Sequence, residues 1–400
     1  MKPLQDIIVL DLSKVFAGPY CTQYLGDLGA TIIKVEPVEG DDTRGWQPQR
    51  TGQSSTFLAL NRNKRSVAVD LKTPEGLEIV HALAARADVV VQGFKGGTAV
   101  KLGVDYETLR GLNERLIYCE LSGYGHDGPL GGKPGYDVML QAFGGMVSTM
   151  GQPEGPLARA SFSPVDLGTG MHAVCGILAA LMERNKTGKG MHVELTLLDS
   201  ALGWMVYLAQ NYWMTGDVPG PLGSAHGSLV PYQAFTASDG ELMIGAGNER
   251  QWQRLCVALG LDQYASDPRF STNSARVANR EQTVKLVQSA VATQTIAFWL
   301  DTLADSEIPC APIHTLDQAL AHPQVSARQL IVHTQHPVLG ELEHIGLPVR
   351  FDGQPRAVPQ AAPLLGQHTA ETLRSIGLDD RQIDDLVSRG VVVTAEDEHS

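Results

Sequence analysis

The chain has 400 residues, 43% of them hydrophobic and 19% charged, enough apolar sequence for one large or two medium domains with a full core. Its 31 Lys and Arg against 44 Asp and Glu leave a formal charge of −13, which argues against a nucleic-acid or anionic-membrane surface and leaves any anionic ligand to local cations. Five scattered cysteines (Cys21, Cys119, Cys175, Cys256, Cys310) lack CxxC or Cys/His spacing. Neither a disulfide framework nor a metal site is expected from them. The first residues lack the apolar core of a signal peptide, and no run of about 18 apolar residues is read as a membrane span, so a cytoplasmic protein is expected.

Residues 7–12 form a short apolar run, 17–28 show helical spacing and 31–35 are rich in β-branched residues, which together predict a β-α-β unit. The alternation continues with strand 66–71, helix 74–86, strand 88–92, helix 106–113 and strand 116–121, the pattern of a parallel sheet with crossover helices. Asp166 then precedes a helix predicted over 171–184, a turn at 186–190, an alternating strand at 191–197 and an apolar helix over 198–213. The Gly/Pro-rich stretch 216–227 reads as a linker, and 231–246 as a hairpin turning at Ser238-Asp239-Gly240. Helices follow at 249–259 and 280–303, strand-like sequence at 307–351, helices at 369–376 and 379–389, and an acidic tail at 394–400. The expected organisation is an α/β protein: a Rossmann-like large domain (1–215), a linker (216–228), a smaller α+β domain (229–345) and a return to the large domain (346–400). No G-x-G-x-x-G follows the first strand and no G-x-S-x-G occurs, so nothing supports a dinucleotide oxidoreductase or a serine hydrolase.

The segment Ser163-Pro164-Val165-Asp166-Leu167-Gly168-Thr169-Gly170 sets a carboxylate beside a glycine-rich turn at the mouth of an apolar helix. Helix amides and dipole there favour an anion, so Asp166 is expected to stay ionised and able to attack; as an Asp at a helix start it could equally be a simple N-cap. Ala17-Gly18-Pro19, Asn63-Lys64-Arg65-Ser66, the stretch from Asp70 to Gly76, Gly123-Tyr124-Gly125, Gly128-Pro129, Gly135-Tyr136-Asp137 and Asp166 with Thr169-Gly170 occur in order along nearly the whole chain. In this the sequence resembles the class III CoA-transferases, the family of formyl-CoA:oxalate and carnitine CoA-transferases. The resemblance implies reversible CoA transfer from an acyl-CoA to a free carboxylic acid, with a dicarboxylate and succinyl-CoA as the guesses that family breadth suggests. Asp166 would be the nucleophile, passing through a mixed anhydride and an aspartyl-CoA thioester. CoA and acyl-CoA would be substrates, with no permanently bound cofactor and no metal, and the partners would be a second chain in an interlocked homodimer, no nucleic acid and no membrane.

The same resemblance implies a CoA site. Val15 and Phe16 fall in the loop that packs against CoA, Val69 and Lys72 at a helix start, and Gly93-Phe94-Lys95 in the family's Asn-Phe-x-Pro-Gly segment, where Gly93 replaces the Asn and Gly96 the Pro. Lys101 is the candidate for a CoA phosphate, and Tyr136 and Asp137 belong to the substrate and CoA loop. Phe16 stands where some relatives carry Gln and cannot supply its hydrogen bond, which leaves a backbone N–H as the candidate oxyanion donor. Arg44 and His226 are candidates for pairing with a substrate carboxylate. Two other functions remain open. An α-methylacyl-CoA racemase shares the fold but needs a His where this chain has Tyr136, and a phenol is a poor base at neutral pH. A non-catalytic acyl-CoA-binding protein would leave the Asp166 segment without purpose.

Overall fold

In the computed structural model, which describes residues 2–395, strand β1 (Ile8–Asp11) is buried on both faces, with Val9 and Leu10 wholly enclosed. That is the position of a central strand in a parallel sheet. Helix α1 (Ala17–Asp27) crosses to β2 (Thr31–Glu36), which lies parallel to β1 with Leu10 opposite Ile33. The chain then builds β3 (Lys64–Val69), α2 (Pro74–Ala84), β4 (Val89–Gln92), α3 (Tyr106–Leu112) and β5 (Ile117–Ser122). Helix α2 starts where the sequence predicts: Thr73 accepts a hydrogen bond from Gly76 N–H and Pro74 occupies the first turn. After α4 (Asp137–Phe143) and the long α5 (Pro164–Thr187), β6 (Met191–Thr196) completes the parallel strands, followed by α6 (Leu197–Trp204) and α7 (Val206–Thr215).

The first six strands take the order 3-2-1-4-5-6, that of doubly wound α/β sheets, which reverses direction between β1 and β4. Alternate residues feed two apolar layers. Leu10, Val67, Val90 and Tyr118 pack with α2 and α3 on one face. Val9, Val89, Ile117 and Cys119 pack with α1 and α5 on the other. Helix α5 is long and apolar enough to cross a bilayer by length and composition, which corrects the reading that no such run exists. Its Ala173, Val174 and Ile177 are buried in the second layer.

A second compact unit comprises Val147–Ala158 and Val218–Val325; the first draws on the described parts of Met1–Met146, Arg159–Asp217 and Ser326–Ser400. The second unit holds an antiparallel sheet of β7 (Tyr232–Ala237), β8 (Gly240–Gly245) and β9 (Cys310–Pro312), with α8 (Glu249–Ala258), α9 (Arg280–Val291) and α10 (Ile296–Asp305) around Phe235, Trp252, Phe270 and Trp299. The single helix expected over 280–303 is two, because Thr295 caps α10 by accepting from Phe298 N–H. In the first unit follow the hairpin of β10 (Ile331–His336) and β11 (Gly340–Ile345), the helices α11 (Thr369–Ser375) and α12 (Asp380–Ser388), and β12 (Val392–Val393). Strand β12 pairs antiparallel with β3 and forms one edge of the large sheet; β6 forms the other. The observed units are not the expected segments: 326–345 group with the first unit and 147–158 with the second. Of the expected acidic tail, residues 396–400 lie outside the described residues.

Candidate active site

The loops that follow the carboxyl ends of β1 to β6 enclose a cavity of about 810 Å³. It spans the point where the strand order reverses, the place where open α/β sheets take their ligands, and its size suits a large organic ligand. Residues 12–18 after β1, Gly93, Phe94 and Lys95 after β4, Val69 at the end of β3 with Lys72 beyond it, Tyr136 before α4, and Asp166 line it. Val15, Phe16, Val69, Lys72, Gly93, Phe94, Lys95, Tyr136 and Asp166 are therefore brought together. Lys101 is exposed on a short helical turn and does not line the cavity.

Helix α5 begins at Pro164, so Asp166 sits in its first turn rather than ahead of the helix. The glycines read as a turn lie inside the helix. They serve close packing: a Cβ at Gly168 would come within 2.3 Å of Trp204 Nε1, and one at Gly170 within 2.7 Å of the Ala17 carbonyl oxygen. The amides of that first turn are also taken. Asp137 Oδ2 accepts from Val165 N–H at 2.8 Å and from Asp166 N–H at 3.0 Å. Asp137 in turn accepts from the Gln141 side-chain amide, whose oxygen receives Ala160 N–H at 3.0 Å. The buried Asp137 carboxylate thus caps α5 and does not line the cavity. Burial first, and the Asp137 charge second, push the Asp166 carboxyl up to about 7. The expectation of a carboxylate ionised by helix amides is replaced by one whose ionisation is opposed, because its neighbour occupies those amides.

Arg44 is held elsewhere. It forms two 2.7 Å bonds with the buried Glu36 carboxylate and stacks over the Phe57 ring at 3.7 Å. His226 belongs to the second unit, where its Nδ1 accepts from Ser228 N–H at 3.1 Å and its ring packs near Tyr232. Among the cavity residues that the sequence does not single out are Lys14, His126 and Lys133. Each stands beside a motif that was read, Lys14 before Val15, His126 after Gly125 and Lys133 before Gly135, and that adjacency was the available signal. His126 Nε2 lies 3.0 Å from Glu120 Oε1, and Glu120 Oε2 lies 3.0 Å from His192 Nε2. Lys14, Lys72, Lys95 and Lys133 line the cavity together with Glu39, Asp42 and Asp70, and Lys14 lies 3.7 Å from Asp42, so the wall offers an anionic ligand local cations among fixed carboxylates. Among the described residues no cluster of His, Cys, Asp and Glu could hold a metal ion.

An α/β sheet whose strand ends surround a roomy cavity lined by charged side chains, the half-buried Asp166 among them, is built to take a large polar ligand. The sequence matches the profile of CoA-transferase family III over residues 4–369, and the chain belongs to that family. It is 38% identical over 98% of its length to the human protein named succinyl-CoA:glutarate CoA-transferase, covering 90% of that relative. It is 37% identical over 94% of its length to the Agrobacterium fabrum succinate–glutarate CoA-transferase, covering 96% of it. A CAIB/BAIF family protein from Brucella suis has the same fold, with a TM-score of 0.83, 38% identity, and coverage of 94% of this chain and 99% of that one.

Proposed function

We propose that this CoA-transferase moves CoA from succinyl-CoA to a dicarboxylate through covalent intermediates on Asp166. The carrying observation is the half-buried Asp166 carboxylate in the wall of the strand-end cavity; the activities for which the human and Agrobacterium relatives are named support the substrate class. The ionised Asp166 oxygen attacks the thioester carbonyl and CoA thiolate leaves, forming a mixed anhydride. The thiolate then attacks the aspartyl carbonyl, giving an aspartyl-CoA thioester and free succinate. An incoming carboxylate displaces the thiolate to form a second anhydride, and the thiolate attacks the new acyl carbon, releasing the product thioester and restoring Asp166. Each step exchanges one acyl partner for another and needs no redox change.

In this reading Lys14, Lys72, Lys95 and Lys133 meet the CoA phosphates. Lys101 is retained as an outer phosphate contact, and Val15, Phe16, Val69, Gly93, Phe94 and Tyr136 flank the ligand. Asp137 positions the nucleophile through its cap. CoA enters as a substrate, with no permanent cofactor and no metal, in a cytoplasmic Rossmann-like enzyme that works as an interlocked homodimer. Exposed apolar side chains on α6 and α7, with Trp204 at 50%, Trp213 at 72% and Met214 at 78% exposure, support a partner surface. The test is intact-protein mass spectrometry after incubation with succinyl-CoA, with hydroxylamine trapping and peptide mapping. A modification confined to the Asp166 peptide and absent from Asp166→Ala is expected; unmodified protein with a range of acyl-CoA donors overturns the covalent route.

A further inference from the structure

Val15 is a β-branched residue in the left-handed region, at φ 70°, immediately before Phe16 at the start of α1. Such a conformation is a genuine outlier and persists only where the surroundings over-determine it. The surroundings here are charged and wholly buried. Lys34, on β2, donates from Nζ to the Ser13 carbonyl at 3.0 Å and to Asp41 Oδ2 at 2.9 Å. The Asp41 carboxylate receives Val15 N–H, at 3.3 and 3.4 Å to its two oxygens. Asp41 is itself fixed by Thr43 N–H at 2.9 Å and Thr43 Oγ1 at 2.8 Å. On the other side of the loop, Ser13 N–H donates to Asp11 Oδ1 at 3.0 Å. Asp11 Oδ2 receives Lys64 Nζ at 3.0 Å.

The strained residue is therefore gripped on its N-terminal side, at Val15 N–H and at the Ser13 carbonyl one peptide unit earlier, by one ion pair with no exposed side-chain surface. A buried ion pair is weak evidence for stability, since well-packed apolar groups often do as well. Its directional bonds to a single loop give it another purpose. We propose that Lys34 and Asp41 are positioning residues that hold Val15 left-handed and so set the place of Phe16 and the first turn of α1 in the cavity wall. The functional part rests on reading the cavity as the acyl-CoA site.

The test removes both charges together, Lys34→Met with Asp41→Ala, in the native and in the Val15→Gly background, since glycine adopts positive φ without steric cost. Two readouts are taken: hydrogen exchange of the peptide covering 12–18, and kcat and KM for CoA transfer. In the native background exchange at Val15 should rise and kcat should fall, each by about tenfold or more; with Val15→Gly the same removal should lower kcat by less than about threefold. Equal losses in the two backgrounds, or unchanged exchange, overturn the proposal. If the double variant does not fold, Asp41→Asn is read in the same way, with faster exchange expected and unchanged exchange overturning it. A wild-type protein without CoA transfer, but with the exchange effect intact, would overturn the assignment of the cavity and leave the loop device standing.

Discussion

The Asp166 carboxylate is opposed by burial and by Asp137, and three measurable effects follow. With the carboxyl near 7, and with Asp166 as the proposed nucleophile acting in its ionised form, kcat/KM should climb along an acid limb centred near neutrality. Asp137→Asn removes the neighbouring charge, so that limb should move to lower pH, while the weakened cap costs about 1 kcal/mol in denaturant unfolding. Asp166→Asn should abolish turnover and yet stabilise the fold. A carboxyl raised in the folded state binds its proton more tightly there than in the unfolded chain, so its ionisation lowers stability as pH rises from about 4 through 7. The variant should exceed the wild type by about 1–3 kcal/mol at pH 8, a gap that shrinks toward pH 4 in pH-resolved melting. Asp166 itself was legible from its motif and its family resemblance. The carboxylate acting on it was not, because Asp137 reaches α5 from 29 residues away and nothing in the spacing says which amides it takes.

Helix α5 shows how far local pattern carries. The β-α-β alternation was readable because central strands such as β1 and β4 are short apolar runs and the edge strand β6 alternates, and β1 to β6 lie within a residue or two of their predicted places. The start of α5 was misplaced by seven residues because Gly168 and Gly170 read as a turn. Their reason is tertiary, the approach of Trp204 and of the Ala17 carbonyl, and packing overrides propensity there. Gly170→Ala sets a methyl against a backbone oxygen that cannot rotate away. It should cost about 1–3 kcal/mol in urea unfolding. It should also lower kcat, because α1 begins at the cavity wall. The same substitution at Gly168 meets the movable end of a half-exposed Trp204 and should cost less by the same assay.

At the scale of the whole molecule, the order of the strands decides where chemistry collects, since every loop that lines the cavity leaves a strand at its carboxyl end. The division into units was less legible, because 147–158 join a distant stretch through pairings such as Gly223 N–H to the Gly151 carbonyl, which local sequence does not announce. Light scattering should give twice the chain mass of 43.0 kDa if α6 and α7 meet a second copy, and a single-chain mass would refute the dimer. The two borders of the large sheet are finished differently. Strand β6 carries Glu194 at one of its exposed alternate positions, a charge that discourages another strand from adding. Beside β3, whose Val67, Ala68 and Val69 are fully enclosed, the border is closed by Val392 and Val393. Ending the chain at Gly390 would uncover the edge of β3 at Ala68 and Val69, while Ser66 and Ala68 N–H stay bonded to His368 and Thr369. Such a truncated protein is expected to form thioflavin-positive aggregates on warming more readily than the full chain, and equal behaviour of the two would refute a protective role for β12.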